Sequence, residues 1–196
     1  MNRKRRKDYL PFGLSAVACV SVMLTAACSL PAIEPAREDT ARYFVLAGTT
    51  GLQFGNTGIR VLPVRVPTYL QGRPIALRVA ENEVRYSSDA RWAEPLDVAI
   101  TQLLRARLNQ DSAGRDCTVQ VLVQQCEATS GANGAVVFSA VFEITAGDKG
   151  AVPETHVFKA KPRSWSGEDY ALLAVELRGA VNELSEAILA VLPGKM

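Results

Sequence analysis

The sequence predicts an α+β fold: a two-layer sandwich in which two main helices pack on one face of an antiparallel-rich sheet of about four to six strands. Three observations lead there. Leu96 to Leu108 and Leu173 to Ile188 carry apolar residues at the three- and four-residue spacing of amphipathic helices. Short runs rich in β-branched and aromatic residues lie before and between them, set apart by glycine- and asparagine-containing turns. Two one-sided helices need a common apolar surface, and a sheet supplies it economically.

The chain opens on a basic cluster, Arg3 to Lys7, followed by an apolar run from about Leu10 to Ala27 that Pro11, Gly13 and Ser15 interrupt. Its unbroken core is shorter than the roughly 20 apolar residues a spanning helix needs. A basic start, a short apolar stretch and small residues at its end are the layout of a secretory signal peptide. The stretch closes on Leu24-Thr25-Ala26-Ala27-Cys28, which resembles a lipobox. The thiol of Cys28 is thereby expected to carry a diacylglyceryl group, with the freed amine acylated as well. Several acyl chains on one residue suffice for stable anchoring, where one alone is marginal. Thr25 stands where a Leu, Val or Ile is usual. Ser29, in place of the aspartate that tends to retain such proteins at the inner membrane, leans towards the outer membrane.

Three parts are expected: 1–27 as signal peptide, 28–40 as lipidated N-terminus and tether, and 41–196 as a single periplasmic domain. Pro31, Pro35 and a polar composition give the tether its extended character. Loss of residues 1–27 takes the formal net charge from +2 to about −2, so no basic nucleic-acid surface is expected.

Arg42 to Ala47 is a strand candidate, and Gly48 to Gly58 is loop-like. Ile59 to Val66 alternates, with a shift at Pro63 that suits an edge or bulged strand. Leu77–Val79 and Glu83–Ser87 suggest a small hairpin. A helix is expected from Pro95 at its first position, with Arg105 and Arg107 favouring its C-terminal dipole; Asn109 to Asp116 ends it. Thr118–Glu127 and Ala135–Thr145 form a hairpin about the Asn133-Gly134 turn, with Phe138, Ala140, Phe142 and Ile144 on one face. His156–Lys161 adds a third strand. Ser166 and Asp169 suggest a capping box for a last helix closed by Pro193-Gly194.

Cys117 and Cys126 would remain in an oxidising compartment. Along one extended strand, nine steps of about 3.3 Å put them about 30 Å apart and on opposite faces. A disulfide needs Cα atoms within about 7 Å, so a bond between them would require a bend in the strand. Two cysteines and the one histidine, His156, make a poor metal site, and no metal or cofactor is expected. No nucleophile-elbow, zincin or phosphate-loop motif is present, and no enzyme activity is expected.

Several stretches resemble the PqiC-like auxiliary lipoproteins of ABC-type transport systems. The likeness begins at Tyr43-Phe44-Val45-Leu46, strengthens at Val66-Pro67-Thr68-Tyr69-Leu70, and is best at Arg91-Trp92-Ala93-Glu94-Pro95-Leu96. Order and spacing give it specificity. The polar Asn109–Asp116 connection is shorter than in many relatives. The resemblance implies an outer-membrane lipoprotein on the periplasmic face, working with an MCE-domain protein and an ABC-type permease in lipid transport between membranes. Self-association into a homo-oligomer would be one way to meet a symmetric partner. Pro67, Tyr69, Leu70, Arg91, Trp92, Pro95 and Leu96 are then candidates for a partner surface, or else for packing at the sheet edge and helix entry. Two alternatives stay open: a carrier holding lipid between helices and sheet, which predicts a sizeable apolar cavity, and an assembly lipoprotein serving an outer-membrane protein.

Overall fold

The structure, a computed structural model, describes residues 40–47, 58–110, 116–130, 134–147 and 151–192. The expected signal peptide, Cys28, most of the expected tether, residues 48–57 of the expected loop, 111–115 of the expected Asn109–Asp116 connection, the Asn133 turn position and Pro193-Gly194 lie outside the described residues. In chain order come β1 (Arg42–Phe44), β2 (Ile59–Val61), a 3-10 turn (Thr68–Leu70), β3 (Pro74–Ala80), β4 (Glu83–Trp92), α1 (Leu96–Gln110), β5 (Cys117–Thr129), β6 (Ala135–Ala146), β7 (Glu154–Lys159), β8 (Arg163–Ser164) and α2 (Tyr170–Val191).

β5 is the spine of the sheet. Val119, Val121 and Val123 point into the core while Leu122 stays exposed, the two-residue period of a strand covered on one face. Between Val123 and Gln125 the register with β6 shifts by one residue. This bulge reverses the alternation, so Cys126 and Ala128 land on the core side with Cys117. The expectation that the two cysteines face opposite ways is thereby corrected, while both lie on the one continuous strand β5.

The strands form one eight-stranded mixed sheet in the order β1-β4-β3-β5-β6-β7, with β2 beside β5 and β8 beside β6. Antiparallel pairing joins β3 to β4, β5 to β6, and β6 to β7 and β8. Three pairs are parallel: β1 with β4, β2 with β5 and β3 with β5. The expected four to six antiparallel-rich strands are therefore corrected to eight in a mixed sheet. β1 and β2 hold three residues each, too few to show a period. Parallel partners must be joined by long crossovers, and α1 supplies the one from the β3–β4 hairpin to β5.

Both helices bury one stripe into a single core with the sheet. Leu96, Ile100, Leu104 and Leu108 of α1 meet Leu173, Leu177, Leu184 and Ile188 of α2, all at most 2% exposed. Leu172 and Val191, near the two ends of α2, are exposed. Pro95 stands just before α1: its carbonyl accepts from Ala99 at 3.0 Å, so it caps the helix where the first helical position was expected. Arg105 does not serve the helix end. Its Nε and Nη2 donate to the Val61 carbonyl at 3.2 and 3.0 Å, tying α1 to β2. Thr101 of α1 accepts from the Val64 amide at 2.9 Å, which holds the chain past Pro63 against the helix.

The α2 cap also differs from the expected box. Asp169 is itself the cap, accepting from the Ala171 and Leu172 amides at 2.9 and 3.0 Å, a contribution of about 1 kcal/mol. Trp165, 3% exposed, donates its indole N–H to the Asp169 carbonyl at 2.7 Å and fixes where the helix begins. Gly179 lies in the middle of α2 because the Arg163 guanidinium crosses it: a Cβ there would collide with Arg163, which pairs with Glu176 and Glu183 either side.

Candidate functional site

The residues that resemble a family motif fall into three groups. Pro67 holds an extended backbone (φ −56°, ψ 150°) and its carbonyl accepts from Leu70 at 2.9 Å. Proline presets that φ, and the turn drops Leu70 into the core at 3% exposure. Tyr69 is partly buried against the same core, and its carbonyl accepts from the Tyr86 hydroxyl at 3.1 Å.

Beneath Tyr69 lies a polar cluster on the sheet face turned away from the helices. The Glu127 side chain is fully buried and takes a charge-assisted hydrogen bond from Arg78 Nε, while Arg78 Nη1 donates to the Glu81 carbonyl at 2.8 Å. Burial pushes the Tyr69 phenol up to about 12, and the neighbouring Glu127 carboxylate adds to the rise against a smaller opposing effect of Arg78. The Glu127 interaction raises Arg78 further above its ordinary value. Burial, followed by the Glu127 charge, also lifts the Cys126 thiol to about 12, leaving no reactive thiolate near neutral pH. A buried carboxylate is tolerated only when paired, so this cluster latches the turn, β3 and β5 together.

The latch carries a pH prediction. Tyr69 keeps its proton in the folded state above the pH where an unfolded tyrosine loses it. Its contribution is fully present below about pH 10 and is lost as pH rises towards 12. Tyr69→Phe should therefore show a shallower fall in stability between pH 10 and 12 than wild type, followed by urea unfolding. Parallel curves for the two chains would contradict this.

The second group is structural. Trp92 is 3% exposed and Leu96 2%; both lie in the core. Trp92 ends β4, opposite Phe44 of β1 at the end of the sheet, shortly before the helix entry at Pro95. The Phe44 ring sits 5.9 Å from Tyr170 of α2, which in turn lies 5.7 Å from Trp165, and the Arg42 guanidinium covers Phe44 at 5.1 Å. These aromatics clamp the first described strand to the last helix. Arg91 and Pro95 make the third group. Arg91 is half-buried opposite Tyr43 and Pro74, and Pro95 is exposed at the helix entry. The seven residues do not converge on one surface.

Sequence reasoning missed Arg78, Tyr86 and Glu127. A carboxylate inside an otherwise apolar-alternating strand is a signal, but the bulge hid which face it takes. His156 stacks on Phe142 at 5.1 Å and stands 3.8 Å from Glu154, two residues away on the same strand. Among the described residues no three His, Cys, Asp or Glu side chains gather as metal ligands.

A mixed sheet with two helices packed on one face defines a two-layer domain of helices and sheet. The chain belongs to the ABC-type transport auxiliary lipoprotein components, whose family model matches residues 45–189. No curated protein gives a significant match. Among solved structures, an uncharacterised protein is similar at 19% identity and a TM-score of 0.58, over 76% of this chain and 97% of its own. A DUF330-family protein from Xanthomonas campestris is similar at 14% identity and 0.57, over 77% and 90%. Both share the fold. A PelC dodecamer from Paraburkholderia phytofirmans reaches only 0.33 at 14% identity, over 74% and 92%.

Proposed function

We propose that this chain is a non-enzymatic lipoprotein, anchored through acylated Cys28 at the periplasmic face of the outer membrane, that serves an ABC/MCE-type system moving lipid between the inner and outer membranes. The observation that carries the proposal is the family match over residues 45–189 on a chain whose start reads as a lipobox. Its mechanism is positional. Acyl chains hold the domain at the inner leaflet, and a protein surface meets the end of the periplasmic channel. The interior supports this over a lipid carrier, because the layer between helices and sheet is filled by side chains such as Leu104, Phe138 and Leu177. No helix among the described residues is long and apolar enough to cross a membrane, which is consistent with attachment by lipid.

A crosslinked pull-down from membranes, comparing wild type with Cys28→Ala by mass spectrometry, tests it. Recovery of an MCE-domain protein and its permease, reduced about tenfold or more in Cys28→Ala because the second anchoring signal is lost, is the expected result. Recovery of a β-barrel protein without them would overturn the transport role in favour of assembly.

A further inference from the structure

Among the described residues β7 is an edge strand, paired with β6 on one side only. Ala160 donates to the Phe138 carbonyl at 3.0 Å. In an antiparallel ladder the bonded residues alternate, so Phe158, His156 and Glu154 are those that bond to β6. The N–H and C=O groups of Thr155, Val157 and Lys159 then point outward. Val157 is also 79% exposed. It ends a row across the sheet, Leu122–Val141–Val157, on the face without helices, and Leu122 in that row is 46% exposed. Exposed edges of this kind are templates for pairing with another strand.

We propose that the occupant is a second copy of this chain, its β7 pairing antiparallel with β7 about a two-fold axis at Val157. The register follows from the strand itself. A two-fold axis normal to the sheet keeps each face on its own side, so residue numbers of opposite partners must sum to an even number. Only the odd-numbered residues offer outward groups, and the one even register that engages all three of them within β7 is centred on Val157, so Val157 meets the partner's Val157 and Thr155 meets the partner's Lys159. The apolar row then runs unbroken across both sheets. Glu143, opposite Thr155 on β6, comes on one row with the partner's Lys159. A lysine can reach across the intervening threonine to that carboxylate. Neither Glu143 nor Lys159 has an ion-pair partner among the described residues. The interface is isologous and pairs Thr155 to Lys159 of one β7 with the same stretch of the other. It does not depend on the transport role.

Cysteine crosslinking of the full chain in membranes tests the register. Opposed residues in a bonded antiparallel pair have Cα atoms about 5.5 Å apart, inside the range a disulfide spans. Val157→Cys should give a covalent homodimer under mild oxidation, about tenfold or more above the wild-type baseline, while Thr155→Cys alone stays at baseline. Thr155→Cys and Lys159→Cys chains expressed together should crosslink to each other. All three positions are exposed, so folding is not at stake. Lys159→Glu should lower the Val157→Cys dimer, and Glu143→Lys in the same chain should restore it. Absence of the Val157→Cys dimer overturns the proposal. So does equal crosslinking at Thr155→Cys, which would mean random collision, or crosslinking of Val157→Cys to a different envelope protein.

Discussion

Arg78→Ala should destabilise the folded chain by about 3–5 kcal/mol, because it leaves the buried Glu127 carboxylate without its partner. The Glu127 side chain is fully buried and that of Arg78 is 21% exposed, so neither charge is freely solvated. A surface pair would contribute about 1 kcal/mol or less; the larger figure comes from the stranded charge. The measurement is urea unfolding of the full chain with and without the substitution. Replacing both partners, Arg78→Leu with Glu127→Leu, should recover most of the loss, since an apolar pair of similar volume avoids the desolvation altogether. A loss below about 1 kcal/mol for Arg78→Ala would mean that water reaches Glu127 and that no latch exists. Tyr86→Phe gives a milder comparison, because it removes only the hydroxyl that reaches the Tyr69 carbonyl.

Trp92→Ala should cost about 3–5 kcal/mol, the range for deleting a buried aromatic side chain. For a domain of this size that lowers Tm by roughly 2–4 °C per kcal/mol. Trp92 sits in the common core opposite Phe44, so its loss should loosen β1 from α2 as well. Thermal unfolding gives the cost, and the same variant in the membrane pull-down separates two roles. A packing residue loses stability first, with partner capture falling only as folded protein falls. A docking residue would leave Tm near wild type and abolish capture. The 3% exposure of Trp92 favours packing.

The two helices and the β5–β6 hairpin were legible because each is long enough to repeat its period. Leu96 to Leu108 and Leu173 to Ile188 spell out one face of a helix, and Phe138 to Ile144 spell out one face of a strand. Helix boundaries were misplaced by one to a few residues, because Trp165 and the Pro95 carbonyl decide them through contacts. The family motif was legible in order and spacing but not in meaning. It read either as a partner surface or as packing at the sheet edge and helix entry, and the fold sends Leu70, Trp92 and Leu96 into the core and Tyr69 towards a buried carboxylate.

Taken alone, the sequence determined that two helices pack on a sheet, which faces of the helices are apolar, and the family. All of these are written in local spacing. Only the tertiary structure decided the parallel pairings of β1, β2 and β3, the bulge at Gln124 that turns Cys126 inward and Glu127 outward, and the pairing of Arg78 with Glu127 across 49 residues of chain. A strand's period says which residues share a face. It does not say which neighbour a strand takes, and a bulge of one residue reverses every face beyond it.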